Sequence, residues 1–146
     1  IFHTVYLIEQ GLKLYNQTLF GSTISILGLT YKKNIQDTRE SPTLKIIDEL
    51  ASLGAVIKIF DPYVKDVRTD SGFFTCEEHI YDTFVNSDCI VLTVDHDEFK
   101  TLDFEKIKTI VRYPIFIDCK NFYENVDGFT YIGLGKPRDI DHLREI

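Results

Sequence analysis

The sequence predicts an α/β fold, and three features carry that prediction. Apolar runs of strand length alternate along the chain with segments whose apolar residues recur at helical spacing. The run over residues 89–94 is apolar almost throughout, which is typical of a strand buried on both faces of a parallel sheet. Residues 23–54 read as strand, polar bend and helix. We therefore expect a doubly wound, mainly parallel sheet sandwiched by helices, a Rossmann-like arrangement, with one long helix before it.

The first segment is predicted to be that long helix, over residues 1–20. Its apolar residues alternate three and four positions apart, and Gly21 and Ser22 follow as the stop. The chain begins inside this periodic pattern and without a methionine, so we expect it to be a piece of a longer protein.

A βαβ unit follows the helix. We expect a strand over residues 23–29, a helix over 42–53 and a second strand over 55–60, joined by a right-handed crossover. Ser41 offers a hydroxyl that can cap the helix, and the proline after it suits the first helical position. Gly54 stands where a left-handed C-cap would fall.

The later elements are predicted with less regular signals. In chain order they are a short strand at 73–75, a short helix at 77–85, the buried strand at 89–94, a loop or single helical turn at 95–99, a helix at 104–110, a strand at 115–117 and a last strand at 129–132.

Composition and charge exclude several functional classes. A chain of 146 residues suits one domain with one hydrophobic core. Its net charge of −7 leaves no basic surplus for a general nucleic-acid binder. No apolar run approaches the ~20 residues of a membrane span, and no signal-peptide pattern opens the chain. The three cysteines are widely separated and form no C-x-x-C pair, so we expect reduced thiols in a cytoplasmic protein and no metal site.

The glycine fingerprint of a dinucleotide-binding domain is missing. G-x-G-x-x-G would follow the first strand, with an acid about 20 residues further on. Here Gly28 is followed by Leu29 and Thr30 without a second and third glycine. Asp61 ends the second strand, as a ribose-binding acid would, but the signal is weak without the glycines. This domain is therefore not predicted to be a self-sufficient NAD site.

Residues 23–135 resemble the C-terminal domain of the UDP-glucose/GDP-mannose dehydrogenase family. The resemblance rests on GLTYKKNIQDTRESP before a helix, and then on AVIKIFDPYV. The strings DPYV and VDHDEF are more similar to the branch acting on UDP-N-acetyl-hexosamines (GlcNAc or ManNAc) than to the UDP-glucose branch. The resemblance implies NAD-dependent oxidation of the C6 alcohol of a UDP-sugar to a carboxylate, a reaction of nucleotide-sugar metabolism that serves polysaccharide biosynthesis.

The same resemblance implies a division of labour between domains. NAD would be bound mainly by an N-terminal domain outside this chain, which would also carry the thiol nucleophile, so the isolated chain is expected to be inactive. Residues 22–146 would form the nucleotide-sugar-binding domain. Residues 1–21 would be the end of the central helix that joins the two domains and helps to form a homodimer or higher homo-oligomer. The alternative is a helix that only packs on its own domain.

Lys32 and Lys33 lie just past the carboxyl end of the first strand. Cations there would neutralise a diphosphate that loses its water on binding. The alternative is two solvated charges. The resemblance implies that the aromatic–lysine pair, Tyr31 and Lys32, contacts the UDP-sugar, and Lys33 is expected on the surface.

Arg39 and Lys120 are the other candidate binding residues. The guanidinium of Arg39 suits a phosphate or a carboxylate equally well. It could pair with Asp37 or Glu40, or, as the resemblance implies, reach NAD held by the other domain, and both can be true. Lys120 lies where the family usually has an arginine, and we expect it to contact the nucleotide portion of the substrate. Lysine keeps the charge there but loses the bidentate geometry.

Two further features are weaker candidates. No base neighbours Cys119, so we expect a small residue at a strand end and no nucleophile. Asp95, His96, Asp97 and Glu98 resemble a metal or acid–base cluster, but helix caps made by Asp95 or Asp97 are favoured. The alternative to a dehydrogenase is a stand-alone nucleotide-sensing or regulatory α/β module. A receiver-like domain is disfavoured because lysines stand where its acids would be.

Overall fold

The computed structural model describes residues 2–133, and a five-stranded parallel sheet organises them. Its strands are β1 (Thr23–Leu27), β2 (Val56–Phe60), β5 (Cys89–Leu92), β6 (Ile115–Asp118) and β7 (Thr130–Gly133). Their order in space is β2-β1-β5-β6-β7, and each neighbouring pair is parallel. The helices are α1 (Phe2–Lys13), α2 (Pro42–Ser52) and α3 (Phe104–Ile110), with 3₁₀ helices at Ile80–Phe84 and Asp97–Thr101. An antiparallel hairpin joins β3 (Asp66–Thr69) to β4 (Gly72–Thr75).

This arrangement confirms the predicted fold class. Two apolar layers cover the sheet, one on each face. Ile24 and Ile26 of β1 belong to the layer shared with α1 and α2, whereas Leu27 belongs to the opposite layer with Phe84 and Phe99. Every residue of β5 and β6 is buried, as expected of central strands covered on both faces. The remainder of the predicted domain, residues 134–146, lies outside the described residues.

The predicted βαβ unit is confirmed because its local signals are strong. Ser41 Oγ accepts a hydrogen bond from the Thr43 amide at 3.3 Å and caps α2. Gly54 has a φ of +87°, the left-handed conformation expected after a helix. Strand β1 ends at Leu27 and not at residue 29, since Gly28 adopts a φ of +104° that an extended strand cannot contain.

Helix α1 ends at Lys13, so the prediction of a helix to residue 20 was wrong over residues 14–20. Asn16 adopts a φ of +58°. Its amide donates to the Lys13 carbonyl, and the Gln17 amide donates to the Leu12 carbonyl, each at 3.0 Å. This is a Schellman motif, in which an asparagine tolerates the left-handed position that usually holds glycine. The apolar stripe of α1 packs on the sheet. Among the described residues, no helix is long and apolar enough to span a membrane.

The segment between β2 and β5 was predicted least completely. The short strand near residues 73–75 is β4, but its partner β3 was not predicted. Val67 is the single buried residue of β3, so the strand lacks the apolar pattern by which strands are recognised. The predicted helix over 77–85 is a shorter 3₁₀ helix with Phe84 fully buried, and the turn predicted near 95–99 is the second 3₁₀ helix.

Replacing Gly28 with alanine should destabilise the protein more than the same change at Gly21. Both glycines have positive φ, +104° and +78°, so each alanine would suffer backbone strain of about 1–3 kcal/mol. A Cβ on Gly28 would also lie 2.5 Å from the Cβ of Val94, whereas nothing lies within 4 Å of one on Gly21. Urea unfolding should therefore show a further loss of ~1–3 kcal/mol for Gly28→Ala. Equal losses would contradict the packing explanation.

Candidate functional site

The candidate site lies at the edge of the sheet where the parallel strands end. The chain moves from β1 to β2 on one side and then crosses to β5 on the other, so the boundary between β1 and β5 is a topological switch point. Thr30 follows β1, Thr93 follows β5, and Cys119 and Lys120 follow β6. These residues line one cavity of about 390 Å³.

Three of the four predicted binding residues line this cavity, namely Tyr31, Lys32 and Lys120. The wall is completed by Thr4 of α1 and by Pro42, Thr43 and Ile46 of the first turn of α2. Both charged residues of the lining are lysines, and no carboxylate is among the described residues that form it. On a chain with a net charge of −7, the cavity is therefore a local concentration of positive charge.

The amino end of α2 adds to this positive potential through its helix dipole. It offers few amide donors of its own, because Pro42 has no N–H and the Thr43 amide is already bonded to Ser41 Oγ. An anion in the cavity would therefore take its direct hydrogen bonds mainly from the lysine ammonium groups, since the hydroxyls of Thr30 and Thr93 already donate to backbone carbonyls.

A buried carboxylate–imidazole pair holds the bend that carries Tyr31 and Lys32. Asp61 Oδ2 accepts from the Leu29 amide at 2.7 Å and lies 2.9 Å from His96 Nε2. His96 Nδ1 accepts from the Asn34 amide at 2.8 Å. Both side chains of the pair are fully buried. The two ends of the bend are thus fixed to the same pair.

A second buried carboxylate organises the loop that carries Lys120. Asp118 accepts from the amides of Lys120 at 2.9 Å, Phe122 at 2.8 Å and Tyr123 at 3.0 Å. The Tyr131 hydroxyl also donates to it, at 2.6 Å. With these donors a fully buried carboxylate is well satisfied, and the loop has a defined path after β6.

Arg39 lies outside the lining of the cavity. Its side chain is 87% exposed, and the guanidinium donates twice to the Asp37 carboxylate, at 3.1 Å in each bond. These hydrogen bonds hold the pKa of Asp37 below its ordinary value. Of the two acids predicted as partners, Asp37 therefore forms the ion pair. Arg39 and Lys32 do not meet in one cavity, although both belong to the segment between β1 and α2.

Cys119 is a poor nucleophile, in line with the sequence interpretation. Burial raises the pKa of its thiol to about 11, and Thr4 Oγ1 lies 3.6 Å from the sulfur. The thiolate is therefore nearly absent at neutral pH. Asp61 is likewise no ribose ligand here, since its oxygens accept from the amides of Leu29 and Tyr63 and face His96.

The prediction that Asp95 or Asp97 caps a helix is wrong. The cap position of the 3₁₀ helix is His96, which makes no side-chain cap hydrogen bond because its ring is buried against Asp61. Asp97 instead pairs with Lys100 at 3.0 Å and accepts from Asn34, and these contacts lower its pKa.

Sequence reasoning missed Thr4, Thr93 and Asp118, and it considered His96 only as a member of a metal or acid–base cluster. One signal could have found the roles of His96 and Asp118. His96 closely follows β5, Asp118 is the last residue of β6, and the carboxyl ends of parallel strands lie at one edge of the sheet. Thr4 lies far from the bend in sequence and is brought to the cavity only by the packing of α1.

Comparisons with a family model and with known proteins point to the same family of dehydrogenases. Residues 25–125 match the model of the UDP-glucose/GDP-mannose dehydrogenase family, UDP binding domain. A UDP-N-acetyl-D-mannosamine dehydrogenase of Methanococcus vannielii is 38% identical over 113 residues, which are 75% of this chain and 25% of that protein. A UDP-glucose 6-dehydrogenase of Rhizobium meliloti is 31% identical over 122 residues, 80% of this chain and 28% of that protein.

Solved structures agree with these relatives. The structure of a UDP-D-ManNAc dehydrogenase of Pyrococcus horikoshii superposes with a TM-score of 0.81 at 30% identity, covering 92% of this chain and 30% of that one. The chain thus spans only about a third or less of the length of the relatives it matches. Every lining residue of the cavity except Thr4 falls within the matched range 25–125. The chain therefore belongs to the UDP-glucose/GDP-mannose dehydrogenase family, and the part matched is its UDP binding domain.

Proposed function

We propose that the cavity at the ends of β1, β5 and β6 binds the UDP portion of a UDP-sugar, with Lys32 and Lys120 on the diphosphate. The observation that carries this proposal is the joint placement of both lysines in a lining without carboxylates among its described residues. A diphosphate is desolvated when it enters such a cavity, so each ammonium group gains strength as a partner.

Charge, and not size, distinguishes this cavity from two larger ones. A larger one of about 760 Å³ beside β2 is lined by Asp61, Asp66, Glu77 and Glu78, with Lys65 as its one cation. Another of about 730 Å³, between α2 and the hairpin, mixes Glu40, Asp48 and Asp70 with Lys45 and Arg68. Carboxylates in both would repel a diphosphate.

The remaining lining residues suit the other parts of a nucleotide. Tyr31 is 48% exposed, and Lys32 Nζ lies 5.9 Å from the centroid of its ring, so the ring offers an apolar face close to the charge. The hydroxyl groups of Thr4 and Thr43 can donate to or accept from ribose and sugar oxygens, whereas those of Thr30 and Thr93 already donate to backbone carbonyls and can only accept. We assign Tyr31 to contact with the UDP-sugar on this basis.

The whole protein would be an NAD-dependent UDP-sugar 6-dehydrogenase that oxidises the C6 alcohol of its substrate to a carboxylate. Oxidation of an alcohol to a carboxylate removes two hydrides and takes up one water, so two NAD molecules would each accept one hydride in succession. NAD would be held mainly by a domain outside this chain. This chain would grip the UDP portion, whose binding energy helps to orient C6 and exclude water. By itself it would turn over no substrate. The lengths and names of the relatives support this view over a stand-alone nucleotide-sensing module.

The sugar would be an N-acetyl-hexosamine, GlcNAc or ManNAc. The strings DPYV and VDHDEF support this choice. Residues 1–21 would contribute to a homodimer or higher homo-oligomer, in addition to the packing of α1 on its own sheet.

In the full-length protein, Lys32→Ala should weaken the binding of UDP by roughly 10–100-fold. The expected loss is about 1.5–3 kcal/mol, the range for a hydrogen bond to a charged group. Lys33→Ala is the matched control, because it removes the same charge from the next residue, which is exposed and outside the lining. Titration calorimetry should show less than about a threefold change for the control. Equal dissociation constants for the two variants would remove Lys32 from the site.

Arg39→Ala in the full-length protein should raise the KM for NAD about tenfold and leave the dissociation constant of UDP unchanged. The reason is that the exposed guanidinium lies outside the UDP cavity, on the segment that would face the cofactor. Arg112→Ala serves as the control, because Arg112 is also an exposed arginine, 3.5 Å from Asp88. Weaker UDP binding with an unaltered KM for NAD would reverse the assignment of Arg39.

A further inference from the structure

We propose that the buried pair of Asp61 and His96 positions the bend over residues 29–34, and thereby sets the affinity of the site for UDP. The inference rests on the proposed function and assigns to these two residues a role that acts through Tyr31 and Lys32. Neither side chain of the pair lines the cavity, so neither is assigned a contact with the nucleotide.

The position of the pair follows from the order of the strands. Asp61 comes directly after β2, and His96 follows β5, which are the two strands that flank β1. Their side chains therefore meet over the carboxyl end of β1, where the chain leaves the sheet and enters the bend. Residues that lie 35 positions apart in sequence form one bond 2.9 Å long at that point.

The pair reaches both ends of the bend. The Leu29 amide, at its start, donates to Asp61 Oδ2 at 2.7 Å, and the Asn34 amide, at its end, donates to His96 Nδ1 at 2.8 Å. Between them, Thr30 Oγ1 lies 3.2 Å from His96 Nε2 and donates to the Lys32 carbonyl at 2.7 Å. The bend that presents Lys32 thus donates one hydrogen bond to the pair at each of its ends, and Thr30 lies against the pair between them.

The hydrogen-bond pattern specifies the tautomer of His96. A backbone amide can only donate, so Nδ1 must accept from Asn34 and carries no proton. Nε2 therefore carries the proton and donates to Asp61 Oδ2. The imidazole is neutral in this arrangement, since an imidazolium would place a second N–H against the Asn34 amide.

Preorganisation is the physical benefit of this connection. The bend contains no helix or strand, and Tyr31, Lys32 and Lys33 are all exposed. A loop of this kind would otherwise lose conformational entropy when it closes on UDP, which would weaken binding. Bonds from a fully buried pair order the bend before the nucleotide arrives.

Two substitutions of His96 separate its two bonds. His96→Gln can still donate to Asp61 but offers no acceptor at the Nδ1 position, and His96→Asn offers that acceptor but does not reach Asp61. In the full-length protein, each should weaken UDP binding about tenfold at a temperature where the variant is folded. His79→Asn changes an exposed histidine and should bind UDP as the wild type does. Folded His96 variants with wild-type dissociation constants would overturn the proposal, even if their melting temperatures fall.

Hydrogen exchange on the wild-type protein tests the same proposal without a substitution. The amides of Leu29 and Asn34 should be protected to a similar degree with and without UDP, because the pair orders the bend in advance. Protection that appears only with UDP would overturn the proposal. If the wild type binds no UDP, or if Lys32→Ala binds it normally, the proposed function itself fails. If Lys32→Ala binds weakly and the His96 variants do not, this inference alone fails.

Discussion

Parallel pairing of β1 with a strand on each side is the constraint on which the rest of the structure depends. Because β2 and β5 both run parallel to β1, the three strands end at one edge of the sheet. After β1 the chain forms β2 on one side of it and then β5 on the other side, and this change of side leaves a crevice at the carboxyl ends of β1 and β5. Lys32 follows β1 and Lys120 follows β6, so the order of the strands places both lysines in the lining of one cavity, although the chain as a whole is acidic.

The residues proposed to bind the nucleotide are exposed on loops, whereas the carboxylates that shape those loops are buried at the ends of the strands. Asp61 and Asp118 are buried where β2 and β6 end, and each accepts several hydrogen bonds that offset the cost of removing a carboxylate from water. The lysines lie on the loops that these bonds shape. Substitution of a lysine should therefore alter binding with little effect on folding, whereas substitution of a supporting acid affects both.

Local signals made much of the fold predictable from sequence. The cap at Ser41, the turn at Gly54 and the helix over 104–110 follow from short-range chemistry, and the structure has them where they were expected. The early end of α1 was missed because Asn16 takes a position more typical of glycine. The resemblance to the dehydrogenase family indicated Tyr31, Lys32 and Lys120 individually. Their common cavity, and the bond between Asp61 and His96, depend on tertiary contacts that no local pattern contains.

A crystal structure of the full-length protein with UDP tests the central claim most directly. The diphosphate should lie in the cavity at the ends of β1, β5 and β6, with oxygens about 2.7–3.2 Å from Lys32 Nζ and Lys120 Nζ. UDP bound between α2 and the hairpin, or bound with both ammonium groups beyond contact distance, would contradict the claim.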